Sequence, residues 1–130
     1  MNLSIGEVAE RSGVAATTLR FYEAEGLLRT PDRVGGRRRY AESVLTRLEV
    51  IGLCKAAGFS LDEIRLLLAD DVPGRPASHA LAEAKLIDID GQMATLRRAR
   101  QIIEWATTCE CVSVDACHCG TDVFRDRPSE

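Results

Sequence analysis

The stretch Ser4-Ile-Gly-Glu-Val-Ala-Glu-Arg-Ser-Gly-Val-Ala-Ala-Thr-Thr-Leu-Arg-Phe-Tyr-Glu-Ala-Glu-Gly26 decides the fold of the N-terminal half. Ser4 and Glu7 have the spacing of a capping box, in which hydroxyl and carboxylate each satisfy a backbone amide left free at a helix start. The helix they open runs through Val8 and Ala9 to Arg11, and Gly13 supplies a left-handed stop. A second short helix is expected from Ala16 to Glu25, closed by Gly26. Two short helices joined by a tight glycine-containing turn make a helix-turn-helix, whose second helix is the one offered to a DNA major groove. Thr17, Thr18, Arg20 and Tyr22 are its expected exposed residues, with Leu19 facing inward.

Working outward, Leu27-Leu28 leads into Arg29-Thr-Pro-Asp-Arg-Val-Gly-Gly-Arg-Arg-Arg-Tyr40, too rich in Gly, Pro and charge for a helix. Its apolar bounds allow a short hairpin. A hairpin carrying arginines at its tip and return strand cannot be core; it reads as a wing laid along phosphates, where each neutralised charge releases counterions. A longer helix is expected over Glu42 to Ala57, with Val44, Leu45, Leu48, Ile51 and Leu53 or Cys54 on its apolar faces and Gly58 as its stop. Ser60-Leu-Asp-Glu63 is a second capping box, opening a helix through Ile64, Leu67 and Leu68. Asp71-Val-Pro-Gly-Arg-Pro76 reads as a linker, because two prolines and a glycine exclude a continuous helix.

Beyond the linker, His79, Ala82, Leu86, Ile89, Met93 and Leu96 recur at alternating steps of three and four residues, with Ile103 one heptad further on, the seam of a two-stranded coiled coil. One such helix cannot bury its stripe alone. It ends at Cys109-Glu-Cys111, five residues, then Cys117-His-Cys119. The expected organisation is mainly α: a DNA-binding domain over residues 1–70, a linker over 71–77, a long helix over 78–108 that needs a partner helix from the same chain or from a second chain, a cysteine-rich loop over 109–120 and a flexible tail over 121–130.

The 130 residues are 45% hydrophobic and 28% charged, an ordinary soluble composition, and the net charge of -3 hides a segregation of signs. Arg29, Arg33, Arg37, Arg38 and Arg39 fall in one short segment, while Asp62, Glu63, Asp70, Asp71, Glu83, Asp88 and Asp90 sit further along. No apolar run approaches the roughly 18 residues of a membrane span, and the N-terminus lacks a basic region followed by an apolar one, which predicts a cytoplasmic protein with no membrane partner. Five cysteines in such a chain point to metal or redox chemistry rather than structural disulfides. Cys54, in an apolar helix, is expected in the core. The four C-terminal thiols suit soft or borderline ions and can enclose one tetrahedral zinc, with His118 as an alternative donor. No phosphate loop, paired carboxylates or base-activated nucleophile suggests an enzyme.

Ser4-Ile-Gly-Glu-Val-Ala-Glu-Arg-Ser-Gly-Val-Ala15, Thr18-Leu-Arg-Phe-Tyr-Glu-Ala-Glu-Gly-Leu-Leu28, Gly36-Arg-Arg-Arg-Tyr40 and Gly58-Phe-Ser-Leu-Asp-Glu-Ile64 closely resemble the successive motifs of the MerR family of bacterial transcription regulators. The resemblance covers the chain up to the cysteines. It implies a winged helix-turn-helix, an antiparallel coiled-coil homodimer and an effector site at the C-terminal end of the long helix. It further implies a palindromic operator inside a promoter, which the dimer distorts so that RNA polymerase engages it, an indirect control through DNA shape. Thr18, Arg20 and Tyr22 would fall on the recognition helix, and Arg38 and Tyr40 on backbone-contacting wing positions; Arg37 stands where many relatives carry Tyr.

The same resemblance offers several sensors. The separation of Cys109 from Cys117 matches the loop of copper-responsive relatives, while divalent-ion sensors add a ligand from the partner's long helix, where this chain offers His79. Cys109-Glu-Cys-Val-Ser-Val-Asp-Ala-Cys117 also resembles the last three ligands of the [2Fe-2S] SoxR branch, but the first falls on Ala106, so that Cys119 would have to replace it. The expected function is a DNA-binding regulator sensing a thiophilic ion, zinc or copper-like. The alternatives are a [2Fe-2S] redox sensor or, in another class, a metal-binding or thiol-redox protein without DNA function.

Overall fold

A computed structural model describes residues 2–120, and the expected tail over 121–130 lies outside the described residues. The elements in order are β1 (Asn2–Leu3), α1 (Ile5–Ser12), α2 (Ala16–Ala24), β2 (Asp32–Val34), β3 (Arg37–Ala41), α3 (Val44–Ala56), α4 (Leu61–Ala69) and α5 (Pro76–Thr108). The chain divides into two compact units at Glu83 and Ala84. The first unit therefore extends past the expected domain end at residue 70 and takes in the first turns of α5.

Both capping boxes form. Ser4 Oγ accepts from the Glu7 amide at 3.1 Å and the Glu7 carboxylate accepts from the Ser4 amide at 3.2 Å. Ser60 and Glu63 repeat the exchange at 3.1 and 2.9 Å. Each box satisfies two amides that a helix start otherwise leaves open. Gly13 ends α1 with φ +73°, a conformation that costs an L side chain energy.

The wing is a three-stranded antiparallel sheet of order β1-β3-β2, one strand more than the expected hairpin. Arg33 pairs with Arg38 and Val34 with Arg37, leaving the two-residue turn Gly35-Gly36, both at positive φ. Such a turn matches the right-handed twist of the flanking strands, and glycine adopts it without a steric penalty. The added strand, Asn2–Leu3, lies on the other edge of β3, with Leu3 opposite Tyr40.

Val8, Leu19, Leu27, Ile51 and Ile64 form the fully buried centre of the first unit, with Tyr22, Leu28, Tyr40, Val44 and Leu48 around them. Between Leu53 and Cys54 the structure chooses Cys54: it packs against this core, whereas Leu53 is exposed. Burial raises the Cys54 thiol above its ordinary pKa, which keeps it protonated.

The turn into α5 is held by its own side chains. The buried carboxylate of Asp70 accepts from both the amide and the hydroxyl of Ser78, each at 2.9 Å, so it caps α5 from eight residues upstream. These bonds hold the Asp70 carboxyl below the ordinary carboxylate range, the Ser78 amide first among them. Arg75 sits at φ +48° and donates to the Leu67 and Asp70 carbonyls. The long helix thus begins at Pro76, two residues before its expected start, with proline at the first position where no amide is required.

In the second unit, α5 carries an apolar stripe that nothing among the described residues covers. Leu86, Met93, Leu96 and Ile103 are exposed, Leu96 at 68%, and Ile89 is half-buried. The seam position between Leu96 and Ile103 is Arg100, paired with Glu104 at 2.8 Å. Among the described residues no helix is long and apolar enough to cross a membrane.

Candidate metal centre and nucleic-acid interface

The last turn of α5 closes on its own hydroxyls. Thr107 and Thr108 donate to the carbonyls of Glu104 and Trp105 at 2.7 and 2.9 Å, satisfying acceptors that a helix end leaves open. The chain then reverses through a short turn in which the Ala116 amide donates to Ser113 Oγ at 3.2 Å and the Cys117 amide to the Val114 carbonyl at 3.1 Å. That reversal brings the second cysteine pair back onto the first.

The four sulfurs of Cys109, Cys111, Cys117 and Cys119 all lie within 4.8 Å of one another, and all four are free thiols. Cys109 to Cys117 and Cys111 to Cys119 are each 3.7 Å, and Cys117 to Cys119 is 3.5 Å. Sulfurs bound at the ~2.3 Å of a zinc tetrahedron stand about 3.8 Å apart. The spacing therefore suits four thiolates on one ion. A two-iron cluster holds its cysteines as separate pairs, one on each iron, with the pairs set further apart. That pattern is not the one this compact group displays. The loop and helix end frame an open depression of about 640 Å³, lined by Trp105, Ala106 and Val114 as well as by cysteines.

Electrostatics within the group are unequal. The backbone amides of His118 and then Cys119 hydrogen-bond Cys111 and hold its thiol down to about 6, while the Cys109 thiol, with burial and the other cysteines behind it, pushes Cys119 up to about 12. The Cys111 thiol therefore gives up its proton more readily than that of Cys119. Ion uptake is coupled to loss of thiol protons, since the ligand is the thiolate.

Among the described residues of one chain neither histidine joins the group. His118 reaches Cys111 through its main chain, while its ring Nδ1 lies 3.5 Å from the Ala116 carbonyl. His79 lies exposed in the first turns of α5 and within the first unit, and is not part of the ligand set found among the described residues. Sequence reasoning named the four cysteines but missed Trp105, whose indole N–H donates to Cys119 Sγ at 2.9 Å. Its position one turn before Cys109 was the available signal.

On the other unit, Thr17 and Arg20 are exposed on α2 and Thr18 is half-buried. Tyr22 is a correction: it is 6% exposed, with its hydroxyl receiving a hydrogen bond from Lys55 Nζ at 3.2 Å, because the face of α2 that carries Leu19 also carries residue 22. Tyr40 is likewise buried, and its hydroxyl donates to the Glu23 carboxylate. Burial and that bond push the Tyr40 phenol up to about 12, so it stays a donor.

The arginine triplet divides by strand alternation. Arg38 shares the Tyr40 face and pairs with Glu23 at 3.2 Å, while Arg37 and Arg39 point to the opposite face. Arg37 is exposed and Arg39 half-buried. Glu23, which drew no role from the sequence, is thus the joint between recognition helix and wing: one oxygen takes Tyr40 and the other Arg38.

Comparison with known proteins agrees with this architecture. Residues 3–71 match the family model described as MerR HTH family regulatory protein, and residues 45–106 match one described as MerR, DNA binding. A mercuric resistance operon regulatory protein of Shigella flexneri is 41% identical over 112 residues, covering 85% of this chain and 77% of that protein. Among solved structures, a transcription regulator from Ralstonia metallidurans in complex with lead(II) aligns with a TM-score of 0.66 at 34% identity, covering 88% of this chain and 94% of the other. A MerR family regulator lacking its sensor domain and bound to promoter DNA aligns with a TM-score of 0.57 at 30% identity, covering 82% of this chain and 88% of that one. With a helix-turn-helix, a wing and a long helix ending in thiols all in family order, the chain belongs to the MerR HTH family of regulatory proteins.

Proposed function

We propose that this protein is a homodimeric transcription regulator that binds promoter DNA and distorts it when its four-cysteine loop takes up a thiophilic divalent ion. The observation that carries the sensor is the spacing of four sulfurs from one chain, all within 4.8 Å. Soft thiolates favour such ions, and the relatives named for mercuric resistance and the neighbour holding lead(II) support this ligand class. When bound, the ion supplies a charge centre that orders the loop against the end of α5.

Thr17, Thr18 and Arg20 read base edges from α2, and Arg37 and Arg39 lie along the phosphates; Arg38, Tyr40 and Glu23 hold the wing to the helix. Leu86, Ile89, Met93, Leu96 and Ile103 form the seam between two copies. A promoter partner and reduced thiols both belong in the cytoplasm.

The test is anaerobic titration of the dimer with mercury(II), lead(II), zinc(II) and copper(I), followed on a promoter fragment by footprinting and run-off transcription. A divalent ion is expected to leave DNA occupancy in place while changing the cleavage pattern at the operator centre and raising transcription. Copper(I) as the sole activating ion would replace the four-thiolate reading with a two-coordinate one. Visible iron–sulfur absorption in the purified protein would replace it with the cluster.

A further inference from the structure

Cys119 is the most exposed of the four cysteines and the last to enter the group, yet its sulfur stands 3.7 Å from that of Cys111 and 3.5 Å from that of Cys117. What holds it inward from outside the loop is the indole of Trp105, half-buried on the last turns of α5, with Nε1 at 2.9 Å from Cys119 Sγ. An indole N–H is a donor only and cannot ligate an ion. A thiolate that has bound a metal still accepts such a bond. We propose that Trp105 is a positioning residue of the metal centre, its N–H fixing Cys119 as a ligand and moderating the electron donation of that sulfur to the ion.

This rests on the four-thiolate reading above and adds to it a residue that touches no metal. Partners of this kind orient the ligands they bond, and their removal costs roughly 10–100-fold in metal affinity. Because Trp105 belongs to α5 while Cys119 lies at the far end of the loop, the same bond ties the ion's last ligand to the helix.

Cobalt(II) is the probe, titrated anaerobically into the intact dimer and its Trp105→Phe variant, which keeps an aromatic ring and loses the N–H. The wild type is expected to show thiolate-to-cobalt charge transfer with tetrahedral d–d bands, and the emission of the chain's one tryptophan is expected to change in step with them. In Trp105→Phe the affinity should fall about 10-fold or more, and the charge-transfer band should move to longer wavelength as Cys119 loses its donor. A variant with wild-type affinity and an unshifted band would overturn the positioning role, as would wild-type emission that ignores cobalt binding. The emission test needs no variant and so stands even if the substitution impairs folding. A wild type with no thiolate charge transfer would instead sink the metal centre itself.

Discussion

The two units of this chain reach stability by different routes. The first closes on itself: Val8, Leu19, Leu27, Ile51 and Ile64 are fully buried, both capping boxes are satisfied, and Glu23, Asp70 and Arg75 tie its parts together. The second leaves Leu86, Leu96 and Ile103 exposed and gathers four thiols at its end. A unit that buries its own apolar surface has a stability of its own. One that waits for a second copy and an ion has a stability that follows their concentrations. A sensor needs the second kind, and a DNA reader needs the first.

The sharpest way to break this contrast is at the stripe. Placing charge there with Leu86→Asp together with Leu96→Asp should turn the dimer into a monomer at micromolar concentration in sedimentation, with operator binding lost and the first unit still folded by its near-ultraviolet dichroism. A variant that remains dimeric would show that these leucines are not the seam. In the closed unit, Leu19→Ala should destabilise by about 2–5 kcal/mol in denaturant unfolding through lost burial and a cavity, whatever the ion concentration. A cost that vanishes when metal is added would erase the distinction between the units.

The wing offers a smaller and more selective test. Arg37→Ala and Arg39→Ala should each weaken promoter binding and reduce the salt slope by about 1, the signature of a lost phosphate contact. Arg38→Ala should weaken binding while leaving that slope nearer the wild type, because the Arg38 charge already faces Glu23. Equal slopes for all three would mean that the ion pair opens on DNA.

The smallest effect concerns Tyr40, whose phenol is pushed up from 10.0 to about 12 in the folded chain. A folded pKa above the unfolded value means that the native state holds its proton more tightly. The associated stability is present in full below pH 10 and disappears as pH rises through about 12. Tyr40→Phe should flatten that alkaline limb in thermal melts; an unchanged limb would assign it to another group.

What the sequence made legible was local. Ser4 with Glu7, Ser60 with Glu63, and Gly13 and Gly58 announce helix ends because capping chemistry spans only three or four residues. Gly35-Gly36 announces the wing turn for the same reason. The cysteine set was readable as a ligand set from composition and spacing. Its closure into one group depended on the reversal at Ser113 to Cys117, which no periodicity signals. The exposure expected of Tyr22 failed against the core, and the anchoring of Arg38 and Tyr40 stayed hidden because Glu23 lies 15 and 17 residues away from them in sequence. Strand β1, two residues long, exists only because β3 offers it an edge.

That one chain's four cysteines enclose a single ion is the claim on which the contrast between a closed reader and an open sensor turns. The direct measurement is X-ray absorption fine structure of the dimer loaded anaerobically with zinc(II), with the metal counted per chain. One zinc per chain, surrounded by four sulfurs at about 2.3 Å, is the predicted result. Half a zinc per chain, or a shell containing two sulfurs and a histidine nitrogen, would contradict it.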